Sequence, residues 1–230
     1  FCQEYKNFLN CSKTEREAVD YAVARAEAQG FVPFDPKTAY KAGDKVYLNN
    51  RGKALILAVV GKKCLCEGVH ILAAHTDSPR LDLKQVPVYE DGEMALLKTH
   101  YYGGIKKYQW VATPLALHGV LVKTDGSAVT VRVGEEEGDP VFCITDLLPH
   151  LAADQMKRPA AELIRGEELN LVVGSRPFRD DEASERVKLN LLRILFEKYG
   201  VTEGDFLSAE LEVVPAFKAG DVGFDRSMVG

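Results

Sequence analysis

The sequence predicts an α/β fold that is interrupted by a β-rich insertion. Two apolar segments, ALILAVV at 54–60 and VHILAA at 69–74, lack the polar alternation of half-exposed strands, which is typical of strands covered on both faces. Beyond residue 80 the pattern changes to short alternating segments separated by glycines, which is typical of antiparallel strands. A long amphipathic segment at 183–199 then predicts a helix. These observations favour part of an α/β domain that carries an inserted β-rich domain.

The first predicted element is an amphipathic helix over 14–29. Ser12 or Thr14 can cap its N-terminus, and Gly30 follows its last turn. Apolar residues recur at the three- and four-residue spacings of one helix face, at Val19, Ala22, Val23 and Ala26.

A β-hairpin and a further strand follow this helix. The segments 45–48 and 53–60 flank an Asn-Asn-Arg-Gly turn, which predicts the hairpin. The predicted strand at 69–74 runs directly into the polar sequence HTDSP at 75–79. Open α/β sheets place their ligands beyond the carboxyl ends of their strands. Residues 75–79 are therefore the first candidate for a functional site.

Short alternating segments predict the β-rich insertion. They lie at 81–86, 115–123 and 128–133, and alternation returns at 206–214 after the helix near 183–199. We therefore predict three parts: residues 1–79 as the first part of the α/β domain, 80–208 as the β-rich domain with its helix, and 209–230 as the return into the first domain.

Composition and charge exclude several classes of protein. The 230 residues carry 29 Lys and Arg against 34 Asp and Glu, which leaves no basic surplus for a nucleic-acid partner. No apolar run approaches the roughly 20 residues that cross a bilayer. Five cysteines do not suit a disulfide framework, so we expect a reducing, cytoplasmic location. The missing initial Met and the end in mid-pattern at Gly230 indicate a fragment.

The sharpest chemical pattern is His75-x-Asp77 at the end of a predicted strand. A neutral imidazole is a good zinc ligand, and a nearby carboxylate can orient the ring and hold its proton. The same residues could instead be a hydrogen-bonded histidine at a strand end and an aspartate that caps a turn. The three residues by themselves leave both interpretations open.

Four longer segments carry a resemblance to a known family. They are ILAAHTDSPRLDLK at 71–84, THYYGGIKKYQW at 99–110, DLLPHLA at 146–152 and PAFKAGDVGFDRSMVG at 215–230. In this order they resemble the M18 family of metallo-aminopeptidases, the aspartyl aminopeptidase and aminopeptidase I group. The four segments are spread over nearly all of the chain.

The resemblance implies a fold, an activity and a site. The fold is an α/β metallopeptidase domain interrupted by a β-rich dimerisation domain, with dimers that build a larger tetrahedral particle. The activity is release of N-terminal residues from peptides at a centre of two divalent metal ions, usually zinc. His75 is then the metal ligand, and Asp77 is the catalytic-centre carboxylate that supports it.

The chain also departs from the family pattern. The bridging aspartate, the Glu-Glu pair with the general base, a further carboxylate and the last histidine ligand all follow the segment that corresponds to the end of this chain. A two-metal centre must clamp both ions, activate water and relay its proton, which His75 and Asp77 cannot do alone. We therefore expect the N-terminal half of the enzyme, inactive unless a companion C-terminal half is supplied. The alternatives are a non-catalytic assembly or regulatory subunit and, if the resemblance is accidental, an unrelated binding protein.

Weaker patterns receive structural interpretations. Cys64, Cys66, His70 and His75 could form a zinc site, but strand alternation puts His75 on the opposite side, which favours small buried thiols and a sheet histidine. The acidic run at 135–137 is interpreted as a solvated loop.

One family position in the predicted dimerisation domain is also changed. Some members have a histidine, a few residues after the segment that contains His150, which reaches a neighbouring subunit's active site. Asp154 stands at that position here, so the role is not transferred to it.

Overall fold

The computed structural model describes residues 2–179 and 183–230 as two compact units. Unit 1 comprises the described residues of Phe1–Ser78 and Lys218–Gly230, and unit 2 comprises those of Pro79–Phe217. The helices are α1 (Cys2–Cys11), α2 (Glu15–Ala28) and α3 (Arg186–Tyr199). The strands are β1 (Val32–Pro33), β2 (Lys45–Asn50), β3 (Ala54–Val59), β4 (Arg80–Asp91), β5 (Met94–Tyr102), β6 (Leu115–Val122), β7 (Ala128–Val133), β8 (Leu171–Gly174), β9 (Ala209–Pro215), β10 (Asp221–Val222) and β11 (Met228–Val229).

Helix α2 confirms the first predicted element and its cap. Thr14 Oγ1 accepts a hydrogen bond from the backbone N–H of Glu17 at 3.3 Å. Glu17 Oε2 accepts in return from the backbone N–H of Thr14 at 3.2 Å. This reciprocal capping box satisfies two N–H groups that a helix start otherwise leaves without partners. The cap therefore fixes where α2 begins.

The predicted hairpin is also confirmed, but its burial is not as expected. Strands β2 and β3 pair antiparallel, and Arg51 and Gly52 take the positive φ values of 59° and 69° that a tight hairpin turn requires. The prediction that β3 is covered on both faces is wrong, because Ile56 is 63% exposed. The described residues supply the sheet β1-β2-β3 and α2 beside it, but no second layer over β3.

The strand predicted at 69–74 is absent from the described structure. Between β3 and β4 the chain forms only the 3-10 turn Leu65–Glu67, and Leu72 is fully exposed. A strand needs a neighbouring strand to pair its backbone N–H and C=O groups, and none of the described strands pairs with this segment. The apolar sequence at 69–74 was therefore not sufficient to specify a strand.

Unit 2 is built on one antiparallel sheet of six strands, in the order β7-β6-β9-β4-β5-β8. Helix α3 packs against β4, β5 and β8. Its first turn is capped from a distance, because Glu90 Oε2 accepts from the backbone N–H groups of Val187 and Lys188 at 2.9 Å each. The fully buried core side chains include Leu81, Leu115, Leu121, Leu171 and Val213.

The chain passes between the two units after Ser78 and again after Phe217. Sequence analysis placed these changes after residues 79 and 208. Unit 2 ends nine residues later than predicted because it includes strand β9. This strand pairs with both β4 and β6 and so lies inside the sheet of unit 2. Among the described residues no helix has the length and apolar character needed to cross a membrane.

Candidate metal centre

His75 and Asp77 lie in the irregular segment that joins β3 to β4. Thr76, between them, donates from Oγ1 to the backbone carbonyl of Lys53 at 3.3 Å. This bond ties the segment to the start of β3. The side chain of His75 is 83% exposed, so it is accessible to a ligand from solvent.

Asp77 fixes the orientation of the His75 ring through one nitrogen. His75 Nδ1 lies 2.8 Å from the backbone carbonyl oxygen of Asp77 and 3.2 Å from its carboxylate Oδ1. Both oxygens accept hydrogen bonds, so the hydrogen of a neutral ring belongs on Nδ1. The lone pair is then on Nε2, which is the form in which imidazole binds a metal.

The two residues can supply one ligand and its supporting carboxylate, but not the full ligand set of a zinc site. A zinc ion takes four ligands in a structural site, or three protein ligands and water in a catalytic one. Within the described ranges, no third His, Cys, Asp or Glu ligand atom is grouped with those of His75 and Asp77 at a spacing suited to one ion. His75 and Asp77 therefore do not by themselves complete a zinc site.

The alternative zinc site at Cys64, Cys66, His70 and His75 is not assembled either, since the described residues show no such group of ligand atoms. The accompanying expectation of buried thiols is wrong. Both Cys64 and Cys66 are exposed, because the segment that holds them is a turn and loop rather than a covered strand.

His150 and Asp154 lie in a turn region of unit 2 and are both exposed. Asp154 pairs with Lys157 at 3.4 Å. This surface ion pair is the contact that the described residues give Asp154.

A buried polar cluster in unit 2 was missed by the sequence analysis. His118 Nε2 lies 3.1 Å from Glu135 Oε2, and the side chains are 1% and 4% exposed. Arg132 also contacts Glu135, at 3.1 Å. The prediction of a solvated acidic loop is thus wrong at Glu135, because its carboxylate is buried in contact with His118 and Arg132.

The same cluster continues across the sheet. His118 faces Glu212 in the β6–β9 register, and Glu212 faces Asp82 in the β4–β9 register. Arg80 joins the two carboxylates, with Nε 2.8 Å from Asp82 and 3.0 Å from Glu212. Its guanidinium group lies 4.2 Å from the centre of the Tyr102 ring, a favourable cation–π distance. The sequence did contain a signal for this cluster. Charged residues such as Asp82 and Glu212 lie within segments that were predicted to be strands, where a charged side chain on the covered face needs a partner.

Comparisons with known proteins agree with the sequence resemblance. The family model described as aminopeptidase I zinc metalloprotease (M18) matches residues 8–230. A probable M18 family aminopeptidase 1 from Clostridium acetobutylicum is 56% identical over 98% of this chain and 49% of its own length. The crystal structure of an M18 aminopeptidase from Thermotoga maritima superposes with a TM-score of 0.94 at 46% identity, over 100% of this chain and 50% of that one.

A more distant structure, described as the mApe1 dodecamer of S. cerevisiae, shares the fold with a TM-score of 0.70 at 21% identity, over 99% of this chain and 50% of that one. The chain thus spans about half the length of the relatives it matches. Since the family model and the close relatives cover nearly all of its residues, the chain belongs to the M18 family of zinc metallo-aminopeptidases.

Proposed function

We propose that this chain is the N-terminal half of a metal-dependent aminopeptidase that releases N-terminal residues from peptides. The observation that carries the proposal is the geometry of His75. Its Nδ1 is held by Asp77 at 2.8 and 3.2 Å, so its exposed Nε2 is available to bind a divalent metal ion, which we take to be zinc.

Each of the two residues has a separate task. His75 contributes one ligand atom, and Asp77 keeps the ring hydrogen on Nδ1 and adds negative charge beside the centre. Asp77 is in this sense a supporting group of the catalytic centre. When bound, a pair of zinc ions supplies Lewis-acid polarisation of the scissile carbonyl and lowers the pKa of a bound water.

The other ligands and the general base are proposed to come from the C-terminal half, as a continuation of the chain or as a companion chain. The exposed apolar residues of β3 and of 69–74 support this, because Ile56, Ile71 and Leu72 present the kind of surface that another layer covers. We accordingly expect the 230 residues alone to be inactive.

Unit 2 is proposed to mediate homo-oligomer assembly. Exposed apolar side chains at Leu147, Leu148, Leu151 and Met156 offer a surface of the kind found at subunit interfaces. The dodecameric yeast relative supports a large particle, which we take to be tetrahedral. The acidic net charge disfavours a nucleic-acid partner, and the five free cysteines suit a reducing compartment, so we propose peptide substrates and a cytoplasmic location.

The test measures hydrolysis of aminoacyl anilides by the natural gene product, after chelation and after zinc is added back. We expect His75→Ala to lower kcat/KM by about 100-fold or more and Asp77→Asn by about 10- to 100-fold, since loss of a ligand costs at least as much as loss of its supporting group. His70→Ala is the matched control, because His70 is an exposed histidine of the same segment and is expected to change activity little. Unchanged activity in His75→Ala would remove His75 from the centre.

A second measurement tests the half-enzyme proposal. The 230 residues alone should show no hydrolysis, and adding the separately expressed C-terminal half of the Clostridium relative should restore zinc-dependent activity. Hydrolysis by the 230 residues alone would show that the centre is complete without that half. If the natural product has no C-terminal half and no companion chain copurifies, the non-catalytic assembly subunit becomes the better interpretation.

A further inference from the structure

Cys64 and Cys66 form an exposed pair of thiols on one turn. Cys64 caps the 3-10 turn Leu65–Glu67, and Cys66 lies within it. The backbone N–H of Cys66 donates to Cys64 Sγ at 3.4 Å, which holds the two residues against each other on the turn. Both side chains are exposed, so the pair is accessible to a reagent from solvent.

The two thiols differ in reactivity because of these contacts. The thiol of Cys66, followed by its backbone N–H, stabilises the thiolate of Cys64 and lowers the pKa of Cys64 below its ordinary value. The neighbouring Cys64 thiol raises the pKa of Cys66. Cys64 is thus the better nucleophile, and Cys66 is the thiol held beside it.

The turn also brings the two residues within disulfide range. A single helical residue, Leu65, separates them, which sets their Cα atoms within the roughly 4.4–6.8 Å that a disulfide spans. Gly68 ends the turn at a φ of 106°, with open space where a side chain would lie.

We propose that Cys64 and Cys66 form a reversible thiol–disulfide site that reacts with small-molecule disulfides. In the first step the Cys64 thiolate attacks one sulfur of the reagent, the S–S bond of the reagent breaks, and one thiolate leaves. In the second step Cys66 loses its proton and attacks Cys64 Sγ, which releases the other half of the reagent. Two cysteine thiols are oxidised to one disulfide, and the reagent is reduced to two thiols that take up the protons.

A metal ion is the less favoured ligand for this pair. Soft ions bind thiolates, but zinc and iron–sulfur sites need three or four protein ligands. In the part of the chain that the structure describes, no third ligand atom joins the two sulfurs. The pair has the composition of a nucleophilic thiol with a resolving thiol instead.

The experiment treats the reduced natural gene product with oxidised glutathione at neutral pH, followed by acid quench, alkylation and tryptic mass mapping. Cleavage after Lys63 and Arg80 places both cysteines on one peptide, 64–80. We expect this peptide to lose two hydrogens without keeping glutathione, and dithiothreitol to restore both thiols. Cys66→Ser should instead keep one glutathione on Cys64, and Cys64→Ser should react severalfold more slowly than Cys66→Ser.

Two controls separate the effect of the turn from ordinary thiol chemistry. Cys11→Ser removes another exposed cysteine of unit 1 and should leave the result unchanged. A synthetic peptide spanning 60–70 should react severalfold more slowly than the folded protein. The proposal is overturned if the wild type accumulates stable glutathione adducts on 64–80, if the two single variants react at equal rates, or if the peptide matches the protein.

Discussion

Strands β3 and β6 have nearly the same apolar character but very different surroundings. β6 (LALHGVLV) lies between β7 and β9 in the six-stranded sheet, and its Leu115 and Leu121 are at most 1% exposed. β3 (ALILAV) lies at the edge of a three-stranded sheet and leaves Ile56 and Val59 about 60% exposed. Apolar composition thus indicates that a strand is suited to burial, whereas only its neighbours bury it.

The polar residues named in the two units also differ in burial: those of unit 2 are buried, and those of unit 1 are accessible. In unit 2, Arg80, His118 and Glu212 are buried; Arg80 pairs with Glu212 across adjacent strands, and His118 contacts Glu135. In unit 1, His75 and Asp77 remain accessible, with one ring nitrogen fixed and the other open. The buried cluster is suited to structural stabilisation of the sheet, and the exposed pair is suited to ligand binding. Five substitutions, arranged as three comparisons, test these differences between the two units.

The largest effect is expected for Arg80→Met in unit 2. The change removes a cation that contacts two carboxylates, one of them the 2%-exposed Glu212, and breaking a buried pair costs about 3–5 kcal/mol. Urea unfolding followed by Trp110 fluorescence measures this, because Trp110 is the single tryptophan of the sequence and packs against the core of unit 2. Lys157→Met is the control, since its pair with Asp154 is exposed and should cost at most about 1 kcal/mol. Equal destabilisation by the two changes would contradict the structural role of the cluster.

A smaller contrast is expected when an apolar side chain is shortened in each unit. Leu121→Ala leaves a cavity in the packed core and should lower the free energy of unfolding by about 2–5 kcal/mol. Ile56→Ala removes an exposed side chain and should change it by no more than about 0.5 kcal/mol in the 230-residue chain. Circular dichroism during urea unfolding reports both changes. A large loss in Ile56→Ala would mean that β3 is covered in solution, for example by a second copy of the chain.

The smallest effect is a pH dependence in unit 1. Lys6 Nζ donates to Asp221 Oδ1 at 2.6 Å, and this bond, with the charges of Lys6 and Arg226, holds the pKa of Asp221 below its ordinary value. Because the folded-state pKa is the lower one, the contribution to stability is complete above the unfolded pKa of about 3.9 and is lost as the pH falls through the folded value. The protection factors of amides in α1, which correct for the intrinsic effect of pH on exchange, should therefore fall at the acid end of this window.

Asp221→Asn is the matched variant for this pH effect. It removes the ionisable carboxyl and should abolish this acid-dependent fall in protection. An NMR titration of Asp221 with a midpoint at or above the ordinary value would contradict the effect of Lys6.

Local patterns predicted the elements that local interactions form. The capping residue Thr14 and the periodicity that follows it predicted α2, and the Asn-Asn-Arg-Gly turn predicted the β2–β3 hairpin. In unit 2 the alternation at 128–133 predicted β7 with its observed bounds. Each of these features is specified by residues a few positions apart, through caps, turns and side-chain periodicity.

Features that depend on distant residues were predicted poorly. The expected strand at 69–74 has no partner strand among the described residues, and Glu135 is buried because it contacts His118, which is seventeen positions earlier in the chain. At the candidate site the His-x-Asp pattern was visible in the sequence. The two Asp77 oxygens lie beside Nδ1 of His75 because of the local backbone conformation. The sequence spacing of the two residues does not specify that conformation.

The sequence by itself determined the family, the position of the His75–Asp77 pair and the division into an α/β part and a β-rich part, because these follow from contiguous segments and local periodicity. Only the tertiary structure decided that Arg80, Glu212 and His118 share one buried cluster, that β9 belongs to the sheet of unit 2, and that Cys64 and Cys66 are exposed. The physical reason is that burial and electrostatic pairing depend on strand register and on the layers that pack together, and residues far apart in sequence determine both.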